Sequence, residues 1–449
     1  MESSEKFKKM TEDKVESLVT RLAVPTVISM LITAFYNMAD TFFIGKITEN
    51  GTAATGAVGV VFSYMSLIQA IAFFFGQGSG NYISRQLGAK NRENAEKMAS
   101  VGFFSCFILG IVIMISGLLF IKPILIFLGA TETILPEAEK YFFYILLGTP
   151  FIMSCFVINN QMRFQGNAKR AMYGILLGAV LNIILDPICI FTFKMGVSGA
   201  SFATCVSQIV SFSMLLILSR ADGGIIIKFK NFKPKFSDFT EITAGGVPSL
   251  CRQGLASITV IFLNHAAGIY GDSAIAAFSV VSRISHIANS AIIGFGQGFQ
   301  PVCGFNYGAG LFERVKKAYI FCIKVSTIFM TFAGIVMFIF AKEVVMAFRD
   351  DDIELITIAA RTLRFQASCF PLLGVIVMNN MFLQNIRKPI KASILAMSRQ
   401  GLAFLPSLFI LSSLFGLTGI ELSQSAADII SFALALPFGI SEVKKLKDE

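Results

Sequence analysis

Residues 76–97 read GQGSGNYISRQLGAKNRENAEK, and residues 296–317 read GQGFQPVCGFNYGAGLFERVKK. Laid over one another without a gap, they match Gly76, Gln77, Gly78, Gly88, Ala89, Glu93 and Lys97 with Gly296, Gln297, Gly298, Gly308, Ala309, Glu313 and Lys317, at a constant offset of 220. The same offset pairs Asn159-Asn160 with Asn379-Asn380, and Gly196 and Gly199 with Gly416 and Gly419. Matches that recur at one spacing along the chain mark an internal duplication. What surrounds the repeated stretches says what has been duplicated.

Both copies follow a long apolar block. The 449-residue chain is 55% hydrophobic and 15% charged, against about 25% charged in a soluble domain, and its mean hydropathy is +0.70. The apolar blocks are 18 to 25 residues long, enough to cross roughly 30 Å of hydrocarbon as a helix. They lack the alternation of barrel strands, and a helix satisfies its own backbone where lipid offers no partner. Spans are expected at about 22–45, 56–80, 99–121, 141–162, 171–193, 197–219, 245–268, 274–300, 319–341, 365–385, 392–412 and 417–439. Six per half is even, so both halves have the same orientation. The expected fold is an all-α integral membrane protein. Its twelve transmembrane helices form two six-helix lobes, related by a pseudo-two-fold axis along the membrane normal.

The longest hydrophilic stretch between spans, RADGGIIIKFKNFKPKFSDFT at 220–240, divides an N-terminal lobe, 1–219, from a C-terminal lobe, 241–449. With the N-terminus inside, 26 of the 38 Lys and Arg fall in inside segments and eight in outside ones. The positive-inside rule then puts both termini and the linker in the cytoplasm. That bias accounts for the net charge of +10 without nucleic acid as a partner. The first 16 residues are polar and the first apolar block is too long for a signal peptide, so it is expected to remain as the first span. The eight cysteines lie in or beside apolar blocks without a C-x-x-C pair and read as small apolar residues. Two histidines leave no His-rich metal site.

A charge at membrane depth is costly and is a functional candidate by default. Asp40 lies in the first span, in YNMADTFFIG, and Asp186 in the fifth, in LNIILDP. Asn182, four residues before Asp186, projects from the same helix face. Pro187 has no N–H and leaves the Ile183 carbonyl without its helical partner. The sixth span brings Thr204. Packed together, these groups make a small oxygen-rich pocket. Two carboxylates there repel, so the first proton is held near neutral pH, and either H⁺ or Na⁺ satisfies the charge. The second half offers Arg252 and Gln253 in span 7, Arg283 and His286 in span 8, Arg399 in span 11 and Asp428 in span 12. A pairing of Arg252 or Arg283 with Asp428 reads as a structural link, with substrate contact as the competing role. Matching Pro187 to Pro406, an offset of 219, puts Gly401 and Leu405 in the places of Asn182 and Asp186. The halves then share architecture and not chemistry. The 46 Phe and 18 Met serve lipid contact and helix packing, with a subset available to an adaptable cavity.

Four stretches together resemble the multidrug and toxic compound extrusion (MATE) family. They are LAVPTVISMLITAFYNMADTFFIG at 22–45, the G-Q-G motif with its following RQLGAKN, MRFQGN at 162–167 and LNIILDP at 181–187. The likeness covers essentially the whole chain and is nearest to the bacterial DinF-like and MepA-like exporters. It implies a two-lobed antiporter that expels lipophilic, cationic drugs against entering H⁺ or Na⁺, with no cofactor beyond the coupling ion. It also implies a monomer in the bacterial plasma membrane. The family's N-lobe cation site is an Asp on helix 1, Asn-x-x-x-Asp on helix 5 and a Thr on helix 6. It maps onto Asp40, Asn182, Asp186 and Thr204. One feature departs. The NorM-like branch carries an acidic residue in mid-helix 7, whereas span 7 here reads GVPSLCRQGLASITVIFLN, with none.

Other classes fit less well. A flippase or exporter of lipid-linked saccharides, from the same wider superfamily, needs several cavity cations for a diphosphate; Arg252, Arg283 and Arg399 speak for it. An enzyme needs a nucleophile or His/Asp constellation that the sequence lacks. An ATP-driven pump needs G-x-x-x-x-G-K-[ST], and a channel needs a recognisable filter.

Overall fold

The computed structural model describes the backbone of residues 2–45, 51–221, 223–348 and 352–446, with side chains for all of these except 2–4, 37–42, 45, 51–52 and 257. In the first half the helices are α1 (Glu2–Glu12), α2 (Val15–Gly45), α3 (Gly51–Gly88), α4 (Arg92–Leu119), α5 (Ile121–Phe127), α6 (Leu135–Phe164), α7 (Ala168–Pro187) and α8 (Val197–Ser219). In the second they are α9 (Phe236–Gly268), α10 (Asp272–Gly308), α11 (Phe312–Ile339), α12 (Ala341–Met346), α13 (Ile353–Asn385), α14 (Pro389–Met397), α15 (Phe404–Phe415) and α16 (Leu417–Lys445). π-helical turns extend α7, at Ile188–Thr192, and join α14 to α15, at Ser398–Leu402. Among the described residues twelve helical segments are long and apolar enough to cross a membrane, in the order expected, with α14, its π-helical turn and α15 making the eleventh.

The helices pack into two compact units, residues 1–12 with 28–246 and residues 13–27 with 247–449. The start of α2 thus belongs to the second unit and the start of α9 to the first. Within the first unit α6 is the central helix, packed on α3, α4 and α8; within the second, α13 packs on α10, α11 and α16. The stretch after residue 222 docks on the first unit. The Ile225 N–H donates to Gln165 Oε1 at 2.9 Å, and Arg92 donates to the Gly223 and Gly224 carbonyls at 3.0 Å. Ion pairs Arg85–Glu241 (3.0 Å) and Lys97–Asp238 (2.7 Å) then fix the start of α9.

α3 and α10 run through the repeated G-Q-G motif and end at the repeat's Gly88 and Gly308. Its glycines are points of close approach. In the first unit a Cβ on Gly78 would collide with the Ile242 carbonyl of α9; in the second a Cβ on Gly298 would collide with the Ala23 backbone of α2. Backbone cannot move aside as a flexible side chain does. Gly78→Ala and Gly298→Ala are therefore each expected to cost about 1–3 kcal/mol by overpacking, read as a lowered midpoint of thermal unfolding in detergent. Gly59→Ala, whose Cβ would meet nothing within 4 Å, is the control and should leave the midpoint unchanged or raised.

The repeat register is not constant. Lys90 and Gly310 both have positive φ, 60° and 75°, at the offset of 220. Further on, Asn159 Nδ2 donates to the Ala171 carbonyl at 3.0 Å, and Asn380 Nδ2 to that of Ala392 at 2.7 Å. Both members of this contact differ by 221 residues. Asn160 therefore corresponds to Met381, and indeed a Cβ on Gly76 would meet Asn160 while one on Gly296 would meet Met381. The match of Asn159-Asn160 with Asn379-Asn380 is thus off by one, because a residue has been inserted in the second half.

Candidate functional site

α7 is suited to close approach along one face. Ala171, Gly174, Gly178, Asn182 and Asp186 recur at three and four residues, so they share one side of the helix, and all five are buried. Two glycines four apart let helices in lipid meet backbone to backbone. A Cβ on Gly174 would strike Leu215 of α8, and one on Gly178 would lie 2.8 Å from Ser211. Ser211 Oγ instead donates to the Gly174 carbonyl at 2.8 Å. The facing stripe of α8 is Thr204, Ser207 and Ser211, again spaced by three and four. One turn beyond Gly178, the same α7 face brings Asn182 to Thr204.

Asn182 Nδ2 donates to Asp186 Oδ1 at 3.0 Å and lies 3.4 Å from Thr204 Oγ1. Asp186 is 0% exposed, and Asn182 and Thr204 are buried. Asn182 Oδ1 and Ser207 Oγ are buried without a hydrogen-bond partner among the described residues. Beside them is a cavity of ≈ 20 Å³ lined in part by Asn182, Thr204, Ser207, Gln208, Thr33 and Tyr36, with room for a water molecule or one small cation. A carboxylate, an amide oxygen and hydroxyls are the donor set of a hard cation, or of a proton shared with the carboxylate. The structure thus brings together Asn182, Asp186 and Thr204. The side chain of Asp40 lies outside the described residues. Ser207 belongs to the polar stripe that starts at Thr204, so its spacing signals it; no pattern in the sequence marks Thr33 or Tyr36.

Among its described residues the second unit carries no copy of this cluster. A Cβ on Gly199 would meet the Cys189 carbonyl, and one on Gly419 that of Leu411, which relates 189 to 411, an offset of 222. At that register Asn182 and Asp186 correspond to Phe404 and Leu408, both buried, rather than to Gly401 and Leu405. The π-helical turn Ser398–Leu402 adds residues that matching prolines does not count. The partner of Asp428 is Arg399, not Arg252 or Arg283: Arg399 Nε donates to Asp428 Oδ1 at 2.8 Å, and Gln424 Nε2 adds a bond of 3.1 Å. The reason is that the turn carrying Arg399 packs directly on α16, whereas Arg283 is exposed on α10.

The MatE family model matches residues 25–188 and again 248–409, one match in each half of the duplication. The chain is 27% identical over 426 residues to the multidrug export protein MepA of Staphylococcus haemolyticus (strain JCSC1435), covering 95% of this chain and 93% of that protein. It is 28% identical over 417 residues to MepA of Staphylococcus aureus (strain MRSA252), covering 92% and 91%. Its fold is similar to that of a MATE crystallised in complex with MaL6, with a TM-score of 0.92, 26% identity and coverage of 98% of this chain and 99% of that one. It is likewise similar to an outward-facing multidrug resistance MATE family transporter of the MOP superfamily, with a TM-score of 0.90, 27% identity and 98% coverage of both chains. Twelve spans built by duplication, with each half matching the same family, make this chain a member of the MATE family of multidrug efflux transporters, which move solutes rather than catalyse reactions.

Proposed function

We propose that the protein is a cation-coupled antiporter of the plasma membrane that exports lipophilic, mostly cationic compounds, driven by H⁺ or Na⁺ bound at Asp40, Asn182, Asp186 and Thr204. The observation that carries this reading is the fully buried Asp186 carboxylate, tied to Asn182 beside a small cavity. An ionised carboxylate at that depth is expensive to bury, and a proton or sodium ion removes the expense. Loading the ion then shifts the balance between two arrangements of the helices that carry the site. Competition between ion and drug gives exchange, because an ion loaded from outside favours drug release outward. The MepA relatives are multidrug export proteins by name, which agrees with a drug substrate. The described cluster is built within one unit of one chain, so a monomer suffices. In proteoliposomes, an imposed H⁺ or Na⁺ gradient should drive ethidium efflux, and ethidium should in turn drive flux of the coupling ion. Transport of anionic compounds only, with cationic dyes ignored, would overturn the reading.

Orientation is part of the same proposal, with both termini and the 220–240 linker in the cytoplasm. Native thiols give little background, since all are buried except the partly exposed Cys251. Lys230→Cys should resist an impermeant maleimide added to intact cells and react after permeabilisation. Ready labelling of intact cells would reverse the topology.

A further inference from the structure

The second unit holds a polar cluster of the opposite kind. Arg252 on α9 shares a helix face with Leu255 and Thr259, three and seven residues on. That face meets the π-helical turn Ser398–Leu402. Thr259 Oγ1 donates to the Gln400 carbonyl, and a Cβ on Gly401 would lie 3.1 Å from Leu255. Arg399, on the same turn, is near enough to Arg252 for the two guanidinium groups to repel. Asp428 answers Arg399. Arg252 makes no hydrogen bond or ion pair among the described residues, and next to it Gln253 Nε2 is a buried donor without a partner. Two cations thus face one carboxylate, and the unfilled hydrogen-bonding positions belong to donors. In the first unit the open position at Asn182 Oδ1 is an acceptor.

The duplication sharpens the contrast. At the offset of 221 that relates Ala171 to Ala392, Arg399 stands where the first unit has Gly178, and Asp428, at the 220 that relates Gly196 to Gly416, stands at Gln208. Both first-unit residues line its cavity. An arginine on a π-helical turn, of the kind that often marks a functional site, thus replaces a glycine of the pocket wall, and an aspartate replaces its glutamine. Arginine within a membrane span is costly and needs a counter-charge, and a buried donor without an acceptor bears its desolvation penalty unrelieved.

We propose that Arg252, Gln253 and Arg399 form an anion site within the second unit that takes a single oxyanion, a carboxylate or a phosphodiester. Filled by a substrate, it admits zwitterions alongside cations. That role rests on the export reading above, but binding at the site needs no ion gradient. Rhodamine B carries a free carboxylate, and its ethyl ester is the same dye without it. Fluorescence polarisation of both dyes on the purified full chain in detergent reads the site directly.

On the wild type, benzoate should displace rhodamine B and not the ester. Arg252→Gln should weaken rhodamine B about tenfold or more, the scale of a charge-assisted hydrogen bond, and leave the ester within about twofold. Arg252→Lys should recover most of the loss. Wild-type protein that binds only the ester, or benzoate that displaces both dyes or neither, overturns the site, as does an Arg252→Gln variant that binds the ester normally and rhodamine B undiminished. Phosphatidylglycerol separates the two sources. Failure to displace rhodamine B assigns the site to substrate, and displacement that depends on Arg252 and spares the ester assigns it to a lipid headgroup. If gradient-driven efflux of the ester fails while this difference in binding persists, coupling fails and the anion site stands.

Discussion

Asp186→Asn is expected to reduce gradient-driven dye efflux to the level of protein-free vesicles, while the protein still inserts and folds. The side chain is 0% exposed and holds its place through Asn182 Nδ2, 3.0 Å from Oδ1. Asparagine has nearly the same shape, keeps an oxygen for that hydrogen bond, and is cheaper to bury than a carboxylate. What it lacks is a charge for the coupling ion to neutralise. A ligand shifts an equilibrium only by its differential affinity for the two states, and moving a population from 1:99 to 99:1 takes roughly 5.5 kcal/mol. Without the carboxylate the ion has no such lever, and downhill dye exchange should persist without responding to the gradient. Asp40→Asn should act the same way. Asn182→Ala and Thr204→Ala should raise the ion concentration needed for half-maximal efflux without abolishing it, since neutral ligands contribute less than a charge. The measurement is efflux per inserted molecule under an imposed gradient. Full gradient-driven transport by the Asp40→Asn/Asp186→Asn double variant would end the model of coupling in the first unit.

The twelve spans are legible in the sequence because hydropathy reports contact with lipid. The ends of the helices are not, because backbone hydrogen bonding does not stop where apolar side chains do. α3 continues to Gly88 and α10 to Gly308 through polar residues, and α9 begins at Phe236, inside the stretch read as linker. The exchange of helix starts between the two units is invisible for the same reason, since hydropathy assigns a depth and not a neighbour.

Within the site, the four-residue spacing of Asn182 and Asp186 suffices to place both on one face, and Gly174 and Gly178 add why α8 comes close enough to bring Thr204. The true partner of Asp428 has no such signal. It depends on which helices lie side by side and on a π-helical turn, and neither leaves a periodic trace. The coincidence of two Asn-Asn pairs likewise hides an inserted residue that only the contacts Asn159–Ala171 and Asn380–Ala392 expose.

The second large effect is expected on stability rather than transport. Asp428→Asn should destabilise the protein by about 3–5 kcal/mol, the cost of leaving one member of a buried ion pair without its partner. Asp428 is buried, its bond to Arg399 Nε is 2.8 Å, and that arginine already faces the repulsion of Arg252. Gln424 Nε2, 3.1 Å away, can still hold an amide oxygen but adds no charge. Replacing the whole pair, Arg399→Met with Asp428→Leu, should return stability to within about 1 kcal/mol of wild type, because an apolar pair of similar bulk avoids the desolvation of both ions. Thermal unfolding in detergent of wild type, Arg399→Met, Asp428→Leu and the double variant isolates the pair from its separate substitutions. Efflux per folded molecule should survive Asp428→Asn far better than Asp186→Asn, since only the latter removes the charge proposed to answer the ion. The anion site makes the sign of one further readout definite. With its internal carboxylate gone, the two arginines should bind rhodamine B more tightly in Asp428→Asn than in wild type, and the ester unchanged. Unaltered stability in the single variant would mean that Arg399 finds another partner or enough water, and the buried pair would no longer hold α16 against the π-helical turn.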